Sequence, residues 1–344
     1  HKWLGHLPGG LAISSIAACA GFSAVCGTST GTTAAVGEVA LPEMKSRGYS
    51  NKLAAGTLAA GGGLGILIPP SLPLILYGII TETFIGKLFM AGIIPGIMLS
   101  ALYALYIGIS TPRSSDAPFP QPRTSWKERM LSLKKAWAVI ALMIVILGSI
   151  YNGICTPTEA GAIGAFGALC LAAVYRKLSW GNLRMALLRT GQTTAMLSII
   201  IVGALIFGYF LTITQIPQQL ASVMVSLPMP PWVIMIGINV LLLLLGCVLE
   251  LGSIILIILP ILFPVVVALG FDPIWFGAIF CVNMEMALIT PPVGMNLYVI
   301  KGISDIQLGD IMRGALPFVI IQAITLALLM VFPQLALLLP NLMI

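Results

Sequence analysis

The sequence predicts an all-α polytopic membrane protein built from two inverted repeats, each with a re-entrant helical hairpin and a broken helix. Three observations point there. The 344 residues are 59% hydrophobic and only 8% charged, with a mean hydropathy of +1.06; a soluble domain carries roughly a quarter charged residues. Two long apolar runs are interrupted by proline pairs, Pro69-Pro70 and Pro291-Pro292. Each pair removes two backbone donors and forces the helix to break near the membrane midplane. Backbone left bare at that depth survives only buried in protein or lining a cavity. Finally, rare helix breakers recur at a fixed offset along the chain.

Composition excludes several function classes. The net charge of +6 falls in loops between apolar runs, which is a topological pattern and not a nucleic-acid footprint. Cys19, Cys26, Cys155, Cys170, Cys247 and Cys281 show no metal-ligand spacing and read as packing thiols. His1 and His6 suggest no transition-metal site. There is no His-Glu-x-x-His run and no catalytic Ser or Asp pair, so the chain reads as a non-enzyme with no organic cofactor. It starts at His1 without a signal-peptide pattern, and an N-terminally incomplete chain is expected.

Taken in order, Leu11 to Leu41 reads as the first hairpin. Its tip is Gly27-Thr28-Ser29-Thr30-Gly31-Thr32-Thr33, and Pro42 follows. Three glycines between Gly27 and Gly37 favour a hairpin over one long helix. Leu53 to Ile80 is the first broken helix, centred on Gly61-Gly62-Gly63-Leu64-Gly65-Ile66-Leu67-Ile68-Pro69-Pro70-Ser71. A helix at 88–109 completes a first repeat core, 1–110. Residues 111–135 form the most polar stretch and read as a loop with four prolines, ending in an amphipathic piece. The segment 136–230 reads as scaffold helices at 136–151, 158–175 and 193–213, with a short interfacial helix at 179–190. The second repeat core, 231–344, holds a hairpin at 232–269, a broken helix at 276–300 and a helix at 314–339.

This path can be tested against charge. If each hairpin returns to its own side and each broken helix crosses, Lys2, Lys45, Arg47, Lys52, Arg113, Arg123, Lys127, Arg129, Lys134, Lys135, Arg176, Lys177, Arg184, Arg189, Lys301 and Arg313 share one side. That is 16 of the 17 basic residues, with Lys87 opposite. The crowded side is then cytoplasmic and the C-terminus lies outside. A full span in place of either hairpin would scatter the charges.

The two halves match at an offset of 222. Residues 42–96 and 264–318 each hold five prolines, four of them coincident without a gap, and Gly48 and Gly92 match Gly270 and Gly314. Equivalent points are separated by an odd number of spans, so the copies are inverted. That is a secondary-transporter architecture whose substrate site lies where the repeats meet. By this symmetry a complete chain would carry about 85 more N-terminal residues.

Six motifs in order carry a resemblance: Gly27-Thr28-Ser29, Pro42-x-Met44-x-x-x-Gly48-Tyr49, Ile68-Pro69-Pro70-Ser71, Ala91-Gly92-Ile93-Ile94-Pro95-Gly96, Thr156-Pro157-Thr158-Glu159-Ala160 and Thr290-Pro291-Pro292-Val293-Gly294-x-Asn296-Leu297. Over essentially its whole length the chain resembles the large membrane subunit of tripartite ATP-independent periplasmic (TRAP) transporters. The resemblance implies a sodium-driven elevator importer in the bacterial inner (cytoplasmic) membrane. Its partners would be a small four-helix membrane subunit and a soluble periplasmic substrate-binding protein. Dicarboxylates, sialic acids or other organic acids would be its cargo.

No Lys or Arg is expected inside the bilayer to clamp an organic anion. Helix N-termini at the breaks and tips supply the positive end instead. The hydroxyls of Ser29, Thr30, Thr33 and Ser71 and the amide of Asn296 either contact substrate or cap the broken helices. The family implies two sodium sites. Symmetry suggests Gly27, Ser29, Gly65, Ile68 and Pro70 for one, and Leu249, Gly252, Thr290 and Gly294 for the other. Glu250, at the second tip, could tune a cation site. Glu285 lies within the second broken span, where an acid is a functional candidate. Sodium coupling favours a structural Glu285, its protonated carboxyl bonded to nearby backbone, over a proton relay. Glu159 fits a helix start. The alternative is a stand-alone sodium- or proton-coupled dicarboxylate or citrate elevator carrier. A channel suits the broken helices less well.

Overall fold

The computed structural model of the chain describes residues 2–113, 118 and 125–342. These residues form helices and turns, with no strand among them. Four helices, Ile85–Ser110, Trp180–Leu211, Leu251–Ala268 and Leu308–Val331, are long and apolar enough to cross a bilayer.

The first hairpin pairs α1 (Gly10–Cys26) with α2 (Ser29–Ser46). Gly27 ends α1 at φ +67°, its N–H donating to Ser23 O, and extended Thr28 starts the return. The left-handed turn is one that glycine adopts without the Cβ clash of other residues. Contrary to a helix end at Leu41, α2 carries Pro42 inside it and continues to Ser46.

The first broken span begins with α3 (Asn51–Gly63), capped by the Ser50 side chain. It tightens to a 3₁₀ turn over Leu64–Ile66 and passes the cis Pro69–Pro70 peptide. It restarts as α4 (Leu72–Thr81), capped by Ser71. Helix α5 (Ile85–Ser110) follows.

Of the polar stretch 111–135, residues 114–117 and 119–124 lie outside the described residues. Its end is helical: α6 (Trp126–Tyr151), capped by Ser125, starts ten residues before the expected Ala136. Then come α7 (Pro157–Val174) and α8 (Trp180–Thr214). The expected interfacial helix at 179–190 and scaffold helix at 193–213 are one continuous α8. A lone Gly191 costs a helix only about 1 kcal/mol and does not stop it. Helix α9 (Ile216–Ser226), unanticipated, opens on Pro217. Helix α8 exposes Ile199, Val202, Leu205 and Ile206, as a lipid- or partner-facing helix would.

The second half repeats the first. Hairpin helices α10 (Pro231–Gly246) and α11 (Leu251–Ala268, with a π segment at Ile254–Ile258) precede a second broken span. That span comprises α12 (Pro273–Leu288) and α13 (Met295–Gly302), separated by the cis Pro291–Pro292 peptide. Helix α14 (Leu308–Val331) follows, and α15 (Gln334–Leu342) closes the described chain. The single helix expected at 314–339 is therefore two, because Pro333 cannot continue the hydrogen-bond ladder.

Helices α3 and α12 form the centre. Every residue of 53–63 and of 275–288 is buried. Helix α3 lies so close to α14 that a Cβ on Gly56 would strike Gly314 O, and one on Gly314 would strike Lys52 O. The symmetric pair is α12 against α5, where Gly277 meets Leu88, with Tyr77 of α4 beside it. Each broken span thus packs on the long helix of the other repeat.

Gly314→Ala should destabilise the protein by about 1–3 kcal/mol through overpacking. Gly309→Ala, on the same helix with open space around it, should be neutral or better. Thermal unfolding of the two purified variants checks this, and equal melting temperatures would contradict the packing.

Candidate functional site

The first hairpin tip is docked on the first break. Leu72 N–H donates to Gly27 O at 3.1 Å. A Cβ on Gly27 would sit 2.9 Å from Pro70 O. Gly65 faces Thr28 O and Thr32 Oγ1 so closely that any side chain there would collide. Thr32 Oγ1 donates to Thr28 O at 2.8 Å. Ser71 Oγ donates to Ile66 O at 2.5 Å and accepts from Leu74 N–H at 3.4 Å. A donor thus covers one carbonyl freed by the break.

A third element fastens the junction. Asn296, fully buried near the start of α13, donates through Nδ2 to Ser29 Oγ at 2.7 Å and to Ala59 O at 3.0 Å. One side chain of the second repeat thereby holds both the first tip and α3. Its own Oδ1 has no hydrogen-bond partner, nor has Thr33 Oγ1, which is buried against Gly62.

The proposed ligand sets can now be placed. Gly27, Gly65 and Pro70 meet at the first junction around Thr28. Ser29 is there too, its hydroxyl engaged by Asn296. Ile68 turns its side chain onto Gly96. At Gly27 the neighbouring oxygen is Pro70 O, a ligand type that suits a hard cation such as sodium, whereas Thr28 O beside Gly65 already accepts from Thr32 N–H and Oγ1. The second set is looser. Thr290 Oγ1 donates to Met286 O at 2.6 Å, and Gly294, at φ +57°, lies against Thr290 O. Leu249 and Gly252 flank Glu250, and among the described residues no hydrogen bond joins this tip to the second break.

Between the two tips lies a cavity of about 130 Å³. Thr28, Ser29, Thr30, Glu250 and Gly252 supply its polar lining, with α4 and α8 forming apolar walls. Of the substrate candidates, Ser29 and Thr30 reach it, whereas Thr33, Ser71 and Asn296 lie behind the tip. The sequence reading missed Thr28, Thr32 and the α8 wall at Met196 and Ile200. The position of Thr28 just before the tip helix, four residues ahead of Thr32, was the available signal.

The three acids differ. Glu159 and Thr156 form a full capping box: Glu159 Oε2 accepts from Thr156 N–H at 2.8 Å and Thr156 Oγ1 accepts from Glu159 N–H at 3.3 Å. Glu250 caps α11, accepting from Ser253 N–H at 3.3 Å, and faces the cavity. Glu285 is fully buried, and neither carboxyl oxygen has a hydrogen-bond partner, so the expected bond to nearby backbone is not made. Nearby, Asn283 Nδ2 donates to Asn239 O and Oδ1 at 2.8 and 2.9 Å, tying α12 to α10.

Paired hairpin tips facing paired broken spans in an inverted repeat define the membrane permease of a secondary transporter, not an enzyme. The family model described as "Tripartite ATP-independent periplasmic transporter, DctM component" matches residues 1–335, and the chain belongs to that family. It is 42% identical over 339 residues to the C4-dicarboxylate TRAP transporter large permease protein DctM of Pseudomonas aeruginosa, covering 98% of this chain and 79% of that one. It is 36% identical to the sialic acid TRAP transporter large permease protein SiaM of Vibrio cholerae, over 98% of this chain and 79% of that one. Among solved structures, the crystal structure of the Alcanivorax borkumensis YdaH transporter shares the fold. The TM-score is 0.64 at 17% identity, covering 96% of this chain and 86% of that chain.

Replacing Asn296 with Ala leaves the Ser29 hydroxyl and the Ala59 carbonyl without their donor, at a cost of about 1–3 kcal/mol. Hydrogen–deuterium exchange should rise across residues 27–33 in this variant. Asn239→Ala, which removes one of the two hydrogen bonds between α10 and α12, should leave exchange at that tip unchanged.

Proposed function

We propose that this permease imports organic acids by sodium symport in the bacterial inner membrane. It works beside a small four-helix membrane subunit and receives substrate from a periplasmic binding protein. The observation that carries this reading is the first junction, where Pro70 O lies against Gly27 with no side chain between them, beside the Thr28–Thr30 tip that lines a cavity shared with the second tip. A hard monovalent cation takes oxygen ligands of this kind, and unwound backbone near the midplane commonly supplies them. The bound ion adds positive charge beside a pocket with no Lys or Arg among its described lining residues; the organic anion then sits against that charge and the helix N-termini at Ser29 and Leu251.

Substrate chemistry is drawn from relatives whose cargo is C4-dicarboxylate or sialic acid, both carboxylates. The hairpins and broken spans would travel together against α6 to α8 as an elevator, since the core helices are buried among themselves and α8 is mostly exposed. The basic loops then lie in the cytoplasm and α15 ends on the periplasmic side.

Gly27→Ala combined with Gly31→Ala should abolish sodium-dependent uptake. At Gly27 an added Cβ meets Pro70 O, and at Gly31 it meets Thr28 Oγ1 and Cys26 Sγ. Uptake of labelled C4-dicarboxylate and sialic acid by the reconstituted complex, titrated with sodium, measures this. Unchanged sodium dependence in the double variant would sink the cation assignment. Full uptake without binding protein would instead favour a stand-alone carrier.

A further inference from the structure

Glu285 lies where the two broken spans cross, and no part of the sodium mechanism uses it. At the repeat offset its counterpart is Gly63, and the two positions touch. A Cβ on Gly63 would lie 2.6 Å from Glu285 Cγ and 2.7 Å from Oε1. Gln322 of α14 reaches both Glu285 and Tyr103 of α5. Five side-chain polar atoms in this cluster are buried without a hydrogen bond of normal geometry: both Glu285 oxygens, both polar atoms of the Gln322 amide and Tyr103 Oη.

The titratable and polar groups around the carboxyl are few, and none of those named is a cation. Helix α5 presents Tyr103, α14 presents the neutral Gln322, α3 presents Gly63, and Cys281 is one turn back on α12. The ion pairs among the described residues, Lys2–Glu128 and Arg47–Glu43, do not involve it. An ionised carboxylate here would be a full charge with no cation, a costly arrangement. It would also offer acceptors only, leaving Gln322 Oε1 without a donor from the carboxyl.

We propose that Glu285, Gln322 and Tyr103 form a proton-binding site at the crossing of the two broken spans, with Glu285 held as the neutral acid. One proton completes the set. The carboxyl O–H donates to Gln322 Oε1, the Gln322 amide N–H returns to the other carboxyl oxygen, and Tyr103 O–H donates into the same ring. Gly63 closes one side of the carboxyl with its backbone, which leaves room for a proton and not for the oxygen shell of a metal cation. The proposal concerns a site separate from the sodium ligands and does not rest on them.

Infrared difference spectra of the purified full chain at neutral pH, parent minus Glu285→Gln, read the protonation state directly. The expected result is one protonated-carboxyl C=O band in the parent, lost in the variant and unmoved when sodium replaces potassium. Gln322→Leu and Tyr103→Phe should each shift that band without removing it, which keeps the test available if Glu285→Gln fails to fold. A carboxylate signature in place of the band, a sodium-dependent change in it, or no shift in either partner variant overturns the proposal.

Discussion

Unwound backbone buried in the middle of this protein has to find partners, and most of the architecture follows from how it does so. Pro69 and Pro70 take two donors out of the first break and leave carbonyls that lipid cannot satisfy. Ser71 covers Ile66 O from within the break. The rest of the solution comes from a separate element: the hairpin tip offers Gly27 O to the Leu72 N–H. A tip can come that close only if it lacks side chains on the facing side. Gly27 meets Pro70 and Gly65 meets Thr28 for that reason. A tip and a break are therefore two halves of one satisfied unit, and neither is stable in a membrane alone.

The inverted repeat sets a tip beside a break twice, and the backbone keeps the symmetry closely. Gly48 and Gly270 both sit at φ +84°, and both proline pairs contain a cis bond. Ser50 and Asp272 cap the broken spans at matched positions. Pro42 and Pro264 lie inside hairpin helices, as Pro95 and Pro317 lie inside the long helices that follow. The side chains break the symmetry. Thr28, Ser29, Ser71 and Leu74 face Glu250, Leu251, Val293 and Asn296 at the offset of 222. Polar fastening therefore runs one way: Asn296 of the second repeat grips the first tip, and Leu74 returns nothing. The first junction is knitted by hydrogen bonds, while the second is joined less tightly, with a carboxylate on the cavity.

What could be read from the sequence was whatever depends on backbone rules. Proline pairs and tip glycines fix where the chain breaks and turns, because those residues act through φ and missing donors. Contacts between distant side chains were not legible in the same way. Asn296 was visible as a polar residue near a break, but nothing local says that its amide reaches Ser29, 267 positions away. Gly191 shows the opposite failure. It looks like a boundary between two helices, yet its propensity cost is small against the apolar length on both sides of α8. The capping box at Thr156 and Glu159 was legible because both partners lie within one turn.

The glycine triplet at the end of α3 joins these levels. Successive helical residues point about 100° apart, so three in a row sample three directions. Gly61 faces Cys19 and Ile16 on α1, Gly62 faces Thr33 on α2, and Gly63 faces Glu285 on α12. Both arms of the first hairpin and the opposing broken span therefore press against one turn of helix, each into space a Cβ would fill. The same residues are poor helix formers, and directly after them the helix tightens to a 3₁₀ turn and then breaks. Close packing on three sides and the weakness that ends the helix are thus one property of the sequence. At the repeat axis it has a further consequence. Positions 63 and 285 meet, so a large side chain at one requires its absence at the other. The acid at Glu285 occupies room that Gly63 gives up, and this crossing cannot be symmetric in side chains even though it is nearly symmetric in backbone.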